Sequence, residues 1–552
     1  MANHYLFTCK NPQNNILQIQ FSFESCDDEK LILRLPTWRP GRYETANFSK
    51  NIYQLSVEQV GNKDIEIRKI SKCQWEITKH KHEERITIFY DFYAHTMDAG
   101  NSWVDNEMWY INFVNCCISL LGKENQTHTL TLDIPSDYTI ACSLTQKGSI
   151  LVANSFETLI DSPVIASANI QKHIFKQNGC DFYIWIQGNI KPDWQKIEKN
   201  FRAYTQAQVD IFGDFPCSDY HYLFHILPYK HYHGVEHPNS TVITLGPDIK
   251  FNDFYDDFLG ISSHELFHTW NIKRIRPKEL SPYPLFSEPA FETGYIAEGI
   301  TTYYGDLMLK RSDVFTSTQY LKELNKTFKK HFENYGRHRL SLADSSCDLW
   351  ADGYKPSAPH RKVSIYTKGA IISLILDLRL RLKGYSLDDV MREFWKQYPN
   401  PHQGYTSQDY LNIIEKITGE SHQKYYADYI QGTVPVEEEL AILLPQFGCS
   451  FEAQEHPDFI TSRFGIKVNV QNKISEIAPN SPAYKQLSVG DIILNKEEIT
   501  NTKSSELKIN RYEKELIIKI SKTKFTYYNT FKIEINEANN TLLTKWLGKI
   551  SD

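Results

Sequence analysis

His264 and His268 stand four residues apart, so on a helix both imidazoles leave one face, one turn apart. That is the separation two ligands of a tetrahedral zinc ion require. Glu265 directly follows the first histidine and can reach a water on such a metal to take its proton. The competing reading is a coincidence among the chain's 19 histidines. The flanks argue against coincidence. Phe258–Ser263 before the motif and Thr269–Ile272 after it are apolar enough to predict a semi-buried helix over 257–272.

A catalytic zinc takes a third protein ligand and keeps a position open for water. Glu279, Glu288, Glu292 and Glu298 are the candidates downstream. Glu298 lies in Tyr295-Ile-Ala-Glu-Gly-Ile-Thr-Thr-Tyr-Tyr304, which reads as a second helix with Ile296, Ile300 and Tyr303 toward the core. A carboxylate among such neighbours is costly to desolvate unless it is paired or bound to metal. The other three sit in Pro-rich or polar surroundings and read more plainly as solvated acids. Spacing alone does not choose among the four. Other residues have equally plain readings: Glu236 as a solvated loop acid, Tyr366 as a packed aromatic with a satisfied hydroxyl. Arg274 and Arg276 read as structural ion pairs. His231, His233 and His237 form a further histidine cluster, in a loop context that suits metal ligation less well. No G-x-S-x-G, P-loop or G-x-G-x-x-G motif competes.

The elements that must position these residues fall into three stretches. Up to about residue 170, segments such as Lys30–Leu35, Arg85–Tyr93 and Thr127–Ile134 are short and rich in β-branched and aromatic residues. They predict a β-sandwich-like domain. From about residue 190 helices dominate, over 192–212, 257–272, 292–311, 317–335, 366–383, 386–398 and 406–418. Ser386-x-x-Asp389 and Thr406-x-x-Asp409 supply capping signals for the last two. Between the first two helices, Tyr220–Pro228 and Thr241–Leu245 read as strands around a His/Tyr/Gly-rich loop. The last 110 residues return to short strands.

Composition sets bounds on partners. The 552 residues carry 61 basic and 67 acidic side chains, for a net charge of −6. This balance gives no electrostatic reason to expect nucleic acid or an anionic membrane. Ten cysteines without a C-x-x-C pair exclude a zinc ribbon or thioredoxin-type motif, and adjacent Cys116 and Cys117 are poorly placed to bridge. No apolar run is long enough to span a bilayer. The first residues lack a basic stretch followed by an apolar one, so a cytoplasmic location without signal peptide is expected.

His264-Glu-Leu-Phe-His-Thr-Trp-Asn-Ile-Lys-Arg-Ile-Arg-Pro277 resembles the signature of the glycyl aminopeptidase family, PDZ-bearing relatives of the thermolysin and aminopeptidase N clan. Leu35-Pro-Thr-Trp-Arg-Pro-Gly-Arg-Tyr43 resembles that family's opening motif. Ile474–Ala483 with Val489–Leu494 resembles a PDZ core. The resemblance implies a multidomain α+β fold. It has an N-terminal β-sandwich-like domain (1–172), a thermolysin-like, mainly α zinc peptidase domain (173–437) and a C-terminal PDZ-like β domain (438–552).

It also implies roles. Ala297-Glu-Gly-Ile-Thr-Thr-Tyr-Tyr304 resembles the clan's E-G segment, making Glu298 the third Zn²⁺ ligand beside His264 and His268. Tyr232-His-Gly-Val-Glu-His-Pro-Asn-Ser240 resembles the G-G-x-E-H loop, in which Glu236 binds the substrate's free α-amine, with Gly234 and His237 also substrate-binding. His233 stands where the family often has the loop's first glycine. Tyr366-Thr-Lys-Gly-Ala370 resembles the segment whose tyrosine hydrogen-bonds the tetrahedral oxyanion. The expected function is zinc-dependent removal of N-terminal residues, Gly or Ala, with Glu265 as base. The alternatives are a zinc endopeptidase, or a PDZ-type peptide-binding scaffold with a decayed peptidase.

Overall fold

Strict in-out alternation governs the N-terminal strands in the computed structural model, which describes residues 3–24, 28–57, 65–79, 85–354, 357–521 and 523–550. Asn3–Thr8 and Ile16–Glu24 bury every second side chain, and the Tyr5 and Phe21 rings stack at 4.5 Å between centroids. Period-two burial is what a sheet with one face on a core requires. These strands are central in a seven-stranded sheet, and two four-stranded sheets complete the β-rich region. Lys30–Arg34, Arg85–Tyr93 and His128–Leu132 are strands within the predicted segments.

The chain divides into two units: Met1–Ala290 with Phe394–Tyr405, and Phe291–Glu393 with Thr406–Asp552. In the first unit a five-stranded sheet follows the β-rich region: β1 (Ile170–Gln177), β2 (Cys180–Gly188), β3 (Asp219–Ile226), β4 (His231–His237) and β5 (Ser240–Gly246). Its order is β1-β2-β3-β5-β4, which leaves β4 at an edge, antiparallel to β5. The stretch read as a His/Tyr/Gly-rich loop is therefore largely strand. Val235 of β4 packs with Tyr110, Ile165, Trp185, Leu223 and Val242. Helix α1 (Trp194–Phe212) is capped by the Asp193 side chain and ends on left-handed Gly213. Helix α2 (Tyr255–Phe267) carries the H-E-x-x-H segment.

His225 of β3 is fully buried, edge-on to the Tyr110 ring at 4.6 Å, and neither ring nitrogen has a partner among the described residues. Burial pulls its pKa down to about 3. The unfolded chain therefore takes up this proton near pH 6.5 while the folded chain does not, and stability falls as pH drops from 6.5 toward 3. One such group costs about 2 kcal/mol between pH 7 and pH 5. His225→Phe should flatten urea-denaturation midpoints over that interval by this amount. An unchanged pH slope would rule out His225 as its source.

In the second unit, a single π-helical turn over Tyr295–Ile300 runs into α3 (Thr301–Arg311). Helix α4 (Ser317–Phe332) opens on a Thr316/Gln319 capping box. Helix α5 (Thr367–Leu382) is buried on nearly every side. A β-carbon on Gly299 would lie 2.5 Å from the Gly369 Cα, so the π-turn and the start of α5 touch main chain to main chain. The predicted capping pairs form at Ser386/Asp389 and Thr406/Asp409.

Strands Cys449–Gln454 and Thr530–Ile535 pair antiparallel, and a small α/β module lies between them in sequence. Its core gathers Ile460, Phe464, Ile474, Ile493, Leu507 and Ile509. Helix α6 (Thr541–Leu547) then inserts Trp546, fully buried, beside Tyr303. Among the described residues no helix is long and apolar enough to cross a membrane, and the described cysteines are free thiols.

Candidate active site

Helix α2 has no side-chain N-cap bond, but Asp256 and Asp257 sit in its first turn, where carboxylates suit the helix dipole. It stops at Phe267, not at 272 as its apolar flank suggested. Thr269 and Trp270 close a tight turn on Leu266 and Phe267, and Trp270 stacks on Phe212 of α1 at 4.6 Å. Ile272 then takes φ +89°, a conformation that costs a β-branched residue strain. The result points the Asn271 carbonyl at His268, whose Nδ1–H donates to it across 3.0 Å. That bond fixes the tautomer and leaves His268 Nε2 a lone-pair donor, 3.1 Å from His264 Nε2. Burial, and secondarily His268, holds His264 well below the ordinary histidine range, so it is neutral.

Edge strand β4 runs alongside this helix. A β-carbon on Gly234 would meet Glu265 Oε1 at 2.2 Å, so any side chain there would have to displace the Glu265 carboxylate. Glu236, two residues on, is 3% exposed rather than solvated, and its Oε1 has no hydrogen-bond partner among the described residues. Side-chain atoms of Glu236, Glu265 and His268 lie within 4.8 Å of one another. Gly41, at φ +81° in the N-terminal Leu35–Tyr43 motif, backs onto the same carboxylate: its β-carbon would be 2.6 Å from Glu236 Oε2. His233 instead faces Arg39 (3.5 Å) and Asp98 (3.8 Å).

Behind β4 lies a buried ionic group. Asp161 accepts from His237 Nδ1 at 2.7 Å and from Lys273 Nζ at 3.0 Å. Burial pushes the Asp161 carboxyl up, but the Lys273 ammonium and the His237 N–H outweigh it and hold it at about 2. Arg276 pairs with Glu157 at 2.7 Å and covers the Tyr283 ring. Arg274 ties the Thr269 and Pro238 carbonyls together, joining the turn after α2 to the β4–β5 connection.

The structure thus brings His264, Glu265, His268, Gly234 and Glu236 together within the first unit, with His237 directed to Asp161. Glu298 and Tyr366 belong to the second unit. Glu298 is 2% exposed within the π-helical turn, a form that recurs at functional sites. Tyr366 occupies the N-cap position of α5, half-buried, its ring 6.1 Å from that of Tyr354. Sequence reasoning missed Gly41, Asp161 and Lys273. Lys273 lies inside the long α2 signature, whereas nothing near Asp161 marks it.

Two family profiles match the chain, the Peptidase M61 N-terminal domain over residues 4–168 and M61 glycyl aminopeptidase over residues 257–372. The chain belongs to the M61 peptidase family. Its fold is that of an aminopeptidase N family protein from Idiomarina loihiensis, at TM-score 0.89 and 24% identity, over 99% of this chain and 100% of that one. An M1 zinc metallopeptidase from Deinococcus radiodurans aligns at TM-score 0.46 and 13% identity, over 79% of this chain and 94% of that one. No curated protein matches. The M61 assignment makes the protein a hydrolase acting on peptides, and the α2 signature lies inside the second matched region.

Proposed function

We propose that this M61 peptidase is a zinc-dependent aminopeptidase that removes N-terminal residues, Gly or Ala foremost, from peptides. The observation that carries the reading is the convergence of Glu236, Glu265 and His268 within 4.8 Å. It sets a buried carboxylate, one oxygen of which has no hydrogen-bond partner among the described residues, beside a base and an imidazole suited to metal. The preference for Gly or Ala rests on the family's description as glycyl aminopeptidase.

The donor set fits zinc. Two imidazoles present Nε2 atoms 3.1 Å apart, and the second is oriented by a backbone carbonyl. We assign the third ligand to Glu298, supported by its burial in the E-G segment. When bound, zinc supplies Lewis acidity to a water and to the scissile carbonyl. Glu265 takes the water's proton and passes it to the leaving amine. Tyr366 donates its hydroxyl hydrogen bond to the developing oxyanion. Glu236 binds the peptide's protonated N-terminus and so sets the cut one residue in. The module after Gln454 is read as PDZ-like, with packing or substrate entry as its part.

Glu236→Ala tests the exopeptidase reading. Hydrolysis of alanyl anilide should lose about 10–100-fold in kcat/KM, the worth of one or two charge-assisted hydrogen bonds. Cleavage of an N-acetylated peptide should change far less. Equal losses on both substrates would make Glu236 structural.

A further inference from the structure

Lys273 has a fully buried ammonium that the chemistry above does not use. It holds both Asp161 oxygens, at 3.0 and 3.3 Å, and reaches the Tyr283 hydroxyl at 3.4 Å. Its own amide donates to the His268 carbonyl at 3.1 Å, directly after strained Ile272. The ammonium therefore pins the turn that aims the Asn271 carbonyl at His268 Nδ1. On its other side, Asp161 receives His237 Nδ1–H at 2.7 Å. His237 is the last residue of β4 and the neighbour of Glu236, and its Nε2 is buried without a partner among the described residues. One carboxylate thus grips two segments that sequence places 36 residues apart, from the C-cap of the helical turn Phe156–Ile160, more than 70 residues before either.

We propose that Asp161, Lys273 and His237 form a positioning triad that holds the amine anchor Glu236 and the metal-binding His268 in fixed relation. Their part is one of positioning: the three side chains act through Glu236 and His268. The role rests on reading Glu236 as the amine anchor. A buried ion pair adds little stability over apolar residues of the same volume, so its value here is geometric. Backbone strain at Ile272 persists only where its surroundings over-determine it, and the Lys273 clamp does so.

The test is the full-length Asp161→Asn/Lys273→Met double variant, which removes both charges together and leaves neither stranded. Hydrogen exchange on metal-free protein should quicken at least tenfold in Val235–Ser240 and Asn271–Ile275 together, with the rest of the first unit unchanged. Zinc affinity should fall about 10–100-fold, the usual consequence of losing an outer-shell support. On alanyl anilide, KM should rise by a similar factor while kcat changes little. Parent-like exchange in either segment, or acceleration spread evenly over the unit, overturns the triad. So does a fall in kcat without a rise in KM. If the double variant does not fold, Asp161→Asn alone is judged by the same readouts. Exchange and zinc affinity are read without turnover, so they judge the triad separately from the Glu236→Ala result, which judges the anchor.

Discussion

Glu265→Gln should lower kcat by about 10²–10⁴-fold, the usual worth of a positioned proton-transfer group, while zinc content stays as in the parent. The substitution is isosteric, which matters because Glu265 is 5% exposed and its Oε1 sits where a Gly234 β-carbon would be. A bulkier side chain would crowd β4 and a shorter one would leave a cavity beside it, and either would confuse geometry with chemistry. Glutamine keeps the volume but loses the negative charge and with it the ability to accept a proton. His268 keeps the bond from Nδ1 to the Asn271 carbonyl that orients it. Metal analysis beside alanyl anilide turnover decides the matter. Turnover within threefold of the parent would remove Glu265 from the role of base.

Trp546→Ala should cost about 3–5 kcal/mol, placing it among the severe core truncations. The indole is fully buried, donates to the Tyr303 hydroxyl at 3.0 Å, and lies edge-on to Phe447 and Tyr320. Tyr303 in turn donates to Asp377 at 2.6 Å, which also accepts from Arg381. The Trp546 carbonyl accepts from Arg311, whose guanidinium pairs with Asp388 at 2.9 Å. Truncation therefore opens a cavity beside charges that are costly to leave partly unsatisfied. Trp546→Phe removes the N–H but keeps most of the packing and should cost about 1–2 kcal/mol. Chemical denaturation distinguishes the two. A loss under 1 kcal/mol for the alanine variant would show that α6 contributes little to its unit.

Where local physics decides structure, the sequence was legible. Richness in β-branched and aromatic residues marked the Lys30–Leu35 and Arg85–Tyr93 segments, and Thr406 with Asp409 marked a helix start. The α2 signature placed two histidines and an acid on one turn. Where distant partners decide, it was not. Strand β4 reads as loop because His231, Tyr232, His233 and Gly234 carry no alternation; its pairing with β5 and the packing of Val235 make it a strand. The end of α2 carries neither glycine nor proline, because the break is enforced through Trp270 packing and the Lys273 clamp. Asp161 lies 112 residues from Lys273 in a segment with no motif. Helix α6 went unread in a stretch that otherwise suggests strands.

The contact between Gly299 and Gly369 has a consequence for how the second unit can vary. Glu298 precedes one of these glycines, and Tyr366 lies three residues before the other. Where two main chains meet with no side chain between them, there is nothing to repack: a methyl group added at either position must push the whole opposing segment. The spacing of the Glu298 and Tyr366 backbones is thus gauged by peptide units, like the jaws of a calliper closed on a fixed stop. Side chains around them can drift in size and polarity without resetting that interval. A change at either glycine would move both residues at once, and no compensating substitution at the other could take up the difference.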